Sequence, residues 1–142
     1  MKYKTIVIDP PWKVANGFNK KGFFHGQNKE RVLPYKTMTD LEISEFPINN
    51  FAEDECDLFM WTIHSKLPFS LQTLEEWGFK FHVLMIWNKL SGVCIQGFYR
   101  NTELVIYAYR GKMGIDVGEG NYIPTLFSTR ANGHSRKPDI FY

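Results

Sequence analysis

The chain has 142 residues, 44% hydrophobic and 16% aromatic, with a formal net charge of +2. That is the length of a single domain (1–142) with enough apolar material for a real core, and it excludes a disordered or fibrous chain. No stretch is apolar long enough to span a bilayer and no signal-peptide pattern opens the chain, so a soluble, cytoplasmic protein without a membrane partner is expected.

The first element is a short buried strand from Tyr3 to Ile8, closed by Asp9-Pro10-Pro11-Trp12. Each Pro fixes its own φ and lacks a backbone N–H. The segment therefore offers carbonyl acceptors and the Asp9 carboxylate but few donors, which suits an exocyclic amine with two hydrogens. Trp12 could stack on the ring that carries the amine. The same four residues also suit a buried strand leaving its sheet by a rigid turn, with Trp12 in the core.

The next two dozen residues hold Gly17, Gly22, Gly26 and Pro34 among several Asn, and read as a long loop of the kind that is functional or mobile. Charge is uneven here. Lys13, Lys20, Lys21, Lys29, Arg31 and Lys36 face the single acid Glu30, whereas Thr37 to Asp57 carries acids and no base. A basic loop beside the amine-accepting turn suits a polyphosphate partner, although a solvated basic loop has the same composition.

Thr39-Asp40-Leu41-Glu42 has capping-box spacing and predicts a short helix that Pro47 ends. Asp57 to Ile63 is nearly all apolar and predicts a strand covered on both faces. Ser65 is placed to cap a helix in which Leu67, Leu71, Leu74 and Trp77 share one face, with Gly78 as its C′ residue. Phe81 to Trp87 and Leu104 to Tyr109 read as two further strands. Their order implies a mainly parallel α/β sheet with ligands at the carboxyl ends of its strands, where Asp9 falls.

Gly111 to Gly120 lacks the spacing of a phosphate cradle and reads as a turn. Cys56 and Cys94 lie far apart with no Cys-x-x-Cys spacing, and the four histidines form no pair on a helix face. Neither a disulfide framework nor a metal site is expected.

Seven blocks in order resemble a family. Beside Asp9 to Trp12 and Tyr35-Lys36-Thr37-Met38 stand Leu58-Phe59-Met60-Trp61-Thr62, Glu76-Trp77-Gly78-Phe79 and Ile86-Trp87-Asn88-Lys89. Gly97-Phe98-Tyr99-Arg100-Asn101-Thr102-Glu103 and His134-Ser135-Arg136-Lys137-Pro138-Asp139 follow. Along nearly its whole length the chain resembles the N6-adenine methyltransferases related to the messenger-RNA adenosine methyltransferase, which include small phage and bacterial DNA enzymes.

The resemblance implies a Rossmann-like sheet, S-adenosylmethionine as methyl donor and adenine N6 of a nucleic acid as acceptor, DNA ahead of RNA. Asp9 and the Pro10 carbonyl would hold the two amine hydrogens, with Pro11 shaping the turn and Trp12 packing on the base. Lys137, with His134 of the same block and Asp9, would meet the donor. Lys13, Lys20, Lys21 and Lys36 would meet phosphates, and Arg100 and Glu103 the substrate. For Arg100 and Glu103, an ion pair that only shapes a loop is the alternative. Transfer to cytosine N4 fits an acceptor-lined pocket as well.

The resemblance breaks off at the end. Relatives continue after the His-Ser-Arg-Lys-Pro block with a full helix, a strand and a ribose-holding turn, whereas this sequence stops at Asp139-Ile140-Phe141-Tyr142. The expectation is a sheet incomplete at its C-terminal end, with an apolar edge that a second copy or another subunit would complete. The chain would then be either a methyltransferase whose missing half is supplied elsewhere or a catalytically silent, nucleic-acid-binding remnant.

Overall fold

The computed structural model describes residues 1–13, 35–95, 97–130 and 136–141. Its core is a five-stranded sheet of order β1-β2-β4-β3-β5. β1 (Tyr3–Ile8) lies at one edge, followed by β2 (Ala52–Thr62), β4 (Phe98–Arg110), β3 (Lys80–Ile95) and the short β5 (Leu126–Ser128). β1 runs parallel to β2 and β5 parallel to β3, while β4 is antiparallel to both of its neighbours. Four strands thus share one direction and β4 alone opposes them.

The sheet is α/β and mainly of one direction, as expected, but the reversed strand, which the sequence did not signal, sits in the middle and not at an edge. The reason is local. Ile95 and Phe98 pair across a tight turn through Gly97, whose φ of +83° is cheap only without a Cβ, so β3 and β4 must form an antiparallel hairpin. The apolar run Leu104 to Ala108 is buried throughout and needs a neighbour on each side. Inserting β4 between β2 and β3 meets both demands.

The strands also extend beyond their apolar runs. β2 reaches back to Ala52 and β3 runs on to Ile95, because ladder hydrogen bonds do not require apolar side chains. β5 was not signalled in the sequence at all; three residues with one partly buried side chain carry no periodicity.

The first helix, α1 (Asp40–Ser44), starts as its spacing predicts. The Thr39 hydroxyl accepts from the Glu42 N–H at 3.2 Å and the Thr39 N–H donates to the Glu42 carboxylate at 2.7 Å. The Thr39 N–H, together with the Thr39 hydroxyl, which donates to the same carboxylate at 2.9 Å, holds the exposed Glu42 carboxyl below its usual range. The second helix, α2 (Leu67–Glu76), departs at its start. A 3-10 turn over His64–Lys66 comes first, so the N-cap residue is Lys66 and no side chain caps it, in place of the expected Ser65. Pro68 opens the helix, where its missing N–H costs nothing. Gly78 ends it at φ +81° as expected.

The sheet packs differently on its two faces. Ile6, Ile8, Leu58, Met60, Leu84, Ile106 and Ala108 face α1 and α2, and meet Ile43, Leu74, Trp77 and Trp12 there. A buried hydroxyl pair joins helix to sheet, Thr62 to Ser70 at 2.7 Å. The opposite face is aromatic, with Trp61, Trp87, Phe59, Phe127 and Phe141 around Met85 and Val105. Alternation along β2 sends Leu58 and Met60 to one face and Phe59 and Trp61 to the other, so this strand is covered on both, as expected. No helix among the described residues is long and apolar enough to cross a membrane.

Candidate active site at the carboxyl end of β1

Asp9 follows the last residue of β1, at the edge of the sheet where β1 and β2 both end. Its neighbours are already committed to a rigid turn. The Trp12 N–H donates to the Pro10 carbonyl at 2.8 Å, the Met38 N–H to the Pro11 carbonyl at 2.9 Å, and the Lys13 N–H to the Met38 carbonyl at 3.1 Å. The Pro10 carbonyl keeps a second lone pair, and the Asp9 side chain remains 43% exposed. The turn is thus a fixed array of acceptors with its carboxylate open to solvent.

Lys137 closes the other side. Its ammonium lies 3.2 Å from an Asp9 oxygen and 2.8 Å from a Glu103 oxygen. The other Glu103 oxygen meets Lys89 at 3.3 Å. The result is an alternating chain of charges, Asp9, Lys137, Glu103 and Lys89, contributed by four separate segments. Lys137 also stands over the ring of Trp61, 4.7 Å from its centroid, and that ring is buttressed edge-on by Trp87 and Phe141. The 3-10 turn Asp139–Phe141, opened by Pro138, anchors the segment by packing Phe141 into this aromatic face.

The electrostatics follow from this order. Burial pushes the Asp9 carboxyl up; the charge and hydrogen bond of Lys137 pull it back, the Glu103 charge opposes them, and the net is upward. Burial also pushes Glu103 up, but its bonds to Lys137 and the charges of Lys137 and Lys89 outweigh that and hold it below its usual range. Lys137 is raised: burial lowers it, and Glu103 and then Asp9 more than reverse this. Glu103 therefore anchors the lysine, and Asp9 is the softer partner.

Several expected site residues change meaning. Trp12 is 7% exposed and belongs to the core facing α2, with the Phe69 ring edge-on at 6.3 Å. Its ring presents no open face for a base, so the core alternative describes it and the stacking role does not. Glu103 is held by two lysines, Lys89 and Lys137, and not by Arg100, the ion pair that was the alternative to a substrate contact. Arg100 is exposed on the β3–β4 hairpin, and Lys13 and Lys36 are exposed near the turn. Lys20, Lys21 and His134 lie outside the described residues. Lys89 and Trp61 were missed as partners of the site. Both stand in blocks that the sequence singled out, but only the register Trp87↔Glu103 brings Lys89 beside the acid.

Asp9 and Lys137 side by side match the two ends of an amino-acid zwitterion, carboxylate to ammonium and ammonium to carboxylate. An α/β sheet with such a pair beside the carboxyl end of its first strand has the layout of a ligand-binding α/β fold. The comparisons make this specific. The profile of the MT-A70 family matches residues 3–142, and the chain belongs to that family.

The chain is also 28% identical over 152 residues to a type II methyltransferase, M.MunI, of a Mycoplasma species, an alignment covering 96% of this chain and 63% of that protein. It thus spans less than two thirds of this curated relative. MT-A70 methyltransferases use S-adenosylmethionine as methyl donor.

Proposed function

We propose that this chain carries the amine-accepting half of an S-adenosylmethionine-dependent methyltransferase that acts on adenine N6 of nucleic acid, DNA ahead of RNA. The observation that carries this reading is the open Asp9 carboxylate on a rigid, donor-poor turn, within 3.2 Å of the Lys137 ammonium. The donor, when bound, supplies a methyl group activated by its sulfonium. Lys137 would hold its carboxylate end, for which the ammonium is already charged and aimed by Glu103.

The chain's own residues deal with the amine. Adenine N6 is a weak nucleophile because its lone pair is delocalised into the ring. Asp9 would accept one N6 hydrogen and the second lone pair of the Pro10 carbonyl the other, drawing the nitrogen out of conjugation and fixing its direction. The rigid turn makes these acceptors preorganised, so little reorganisation accompanies the reaction. When N6 gains the methyl carbon it must lose a proton, and the exposed Asp9 carboxylate gives that proton a way to water. A base in a duplex must first leave its stack, at a cost of a few kcal/mol.

The Asp9–Lys137 contact also supports an order of events. Lys137 is shared between Asp9 and Glu103, and a donor carboxylate would draw it from Asp9. That exchange frees the acceptor oxygen for the incoming amine and leaves Glu103 holding the lysine.

Calorimetric titration with S-adenosylmethionine, followed by mass spectrometry of methylated adenine in an oligonucleotide, tests the reading. Binding and N6-methyladenine are expected. Methylated cytosine would move the acceptor to cytosine N4. Nucleic-acid binding without donor binding at millimolar concentration would mark the chain as a catalytically silent, nucleic-acid-binding remnant.

A further inference from the structure

The β3–β4 hairpin outruns the rest of the sheet. The β2 ladder with β4 stops at Thr62↔Leu104 and the β5 ladder with β3 stops at Asn88↔Ser128, yet β3 and β4 stay paired as far as Ile95↔Phe98. Beyond the sheet the two strands form a ribbon with no third strand among the described residues. Its root is the site itself, because Lys89 and Glu103 stand at its base and Glu103 reaches Lys137 and Asp9.

The ribbon is bent by a large bulge. Between the pairs Asn88↔Thr102 and Val93↔Arg100, β3 has four residues where β4 has one. Asn88 organises the bend by accepting from the Leu90 N–H at 3.1 Å and from the Asn101 side chain at 3.0 Å. Gly92 lets the strands close, since a Cβ there would stand 2.5 Å from the Arg100 carbonyl oxygen. Leu90 holds φ at +58°, unfavourable for a branched side chain, and is 56% exposed. Bulges beside active sites commonly re-aim side chains, and an outlying backbone angle persists only where its surroundings impose it.

The ribbon's surface is apolar and weakly basic. Phe98 is 74% exposed and Tyr99 58% exposed, and Asn88 to Thr102 contains Lys89 and Arg100 and no acid. Strand alternation puts Tyr99 and Asn101 on the face of Glu103, and Phe98 and Arg100 on the face of Thr102, which meets His64 at 2.8 Å. Tyr99 lies four residues along the strand from Glu103, roughly 13 Å at about 3.3 Å per residue. That is the span of about four stacked base pairs.

We infer that the β3–β4 hairpin is a nucleic-acid finger that engages the strand flanking the target adenine, Tyr99 and Phe98 stacking on bases and Arg100 meeting phosphate. The inference rests on the proposed nucleic-acid substrate. Exposed aromatics next to a guanidinium, with no acid between Asn88 and Thr102, match a partner that offers flat rings on a polyanion. An unstacked duplex step beside a flipped base presents such rings, and apolar side chains can enter it.

Fluorescence anisotropy of the full chain with a labelled duplex and with the corresponding single strand, at low salt, tests this. The double variant Phe98→Ser/Tyr99→Ser alters only exposed side chains and should keep the fold, checked by circular dichroism, while losing affinity by about tenfold or more. Leu90→Gly removes a side chain and suits the backbone angle, so it should keep or raise stability and still weaken duplex binding by a smaller factor.

Affinities within about twofold of wild type in the double variant would overturn the finger and leave the substrate reading standing. Absence of binding by the wild type to either probe would overturn both. Unchanged nucleic-acid binding with a loss of dimer in sedimentation would assign the tip to a protein partner, and would equally overturn the finger.

Discussion

Two aspartates on the same sheet show how one residue type serves two ends. Asp57 lies in β2, paired with Thr5 and Tyr109, and is 7% exposed. One of its oxygens accepts from the Tyr107 hydroxyl at 2.8 Å and from the Gly114 N–H at 3.1 Å. Gly114 is needed for that approach, since a Cβ there would fall 2.3 Å from the other oxygen. Burial first, and then Asp57, push the Tyr107 phenol above its ordinary value. Asp57 is closed: its partners are neutral donors of the fold, and nothing can reach it without dismantling the loop after β4.

Asp9 is the reverse case. It stands past the end of its strand, is 43% exposed, and its one close partner among the described residues is a lysine already committed to Glu103. A carboxylate whose donors are all internal stabilises a fold. One left open beside a charge that can be exchanged is available for chemistry. Five predictions would break or sharpen this contrast.

The largest effect belongs to Asp9→Ala. Methyl transfer should fall by about a thousandfold or more, as for loss of a preorganised hydrogen-bonding group, with the thermal midpoint unchanged. Retained turnover would remove Asp9 from the site. Asp57→Ala should do the opposite. It leaves the buried Tyr107 hydroxyl and the Gly114 N–H without their acceptor, a loss of about 2–3 kcal/mol in urea unfolding. Stability unchanged in that variant would mean that water replaces the carboxylate.

The next effect is a pair of opposite pH shifts. On the proposed mechanism transfer requires ionised Asp9, so its acid limb should lie above the ordinary value of 3.8. Lys137 lowers Asp9 and Glu103 raises it. Lys137→Gln should therefore move the limb to higher pH, and Glu103→Gln to lower pH. Limbs that move together would show that the two residues do not act on Asp9.

Stability should carry the same signature. The contribution of Glu103, whose folded value is lowered, is present above 4.5 and lost as pH falls through the folded value. That of Lys137, whose folded value is raised, is present below 10.5 and lost as pH rises through the folded value. Glu103→Gln should flatten the acid side of the stability curve.

The smallest effect is a control remote from both carboxylates. Thr39→Ala removes the capping box of α1 and should cost about 1 kcal/mol with no change in the pH profile of transfer.

The acceptor turn, the capping box and the C′ glycine were legible because each is set by residues adjacent in the chain. Proline fixes its own backbone, Thr39 and Glu42 are three apart on one turn, and Gly78 takes a positive φ that a Cβ resists. Trp12 shows where such reading ends. Its neighbours fix the turn, but whether its ring meets a ligand or the core depends on Phe69 of α2, far along the chain.

Lys89 and Glu103 make the same point, since their contact follows from hairpin register, and Gly92 marks the bulge that sets this register without fixing how many residues it takes up. By itself the sequence determined the class of sheet, the donor-poor turn after the first strand and the family's blocks in order. The tertiary structure decided that the reversed strand lies centrally, that Trp12 is core, and that Lys137 is shared between Asp9 and Glu103. The reason is physical: backbone angles and caps depend on a few neighbouring residues, whereas ion pairs and burial depend on which distant segments the packed sheet brings together.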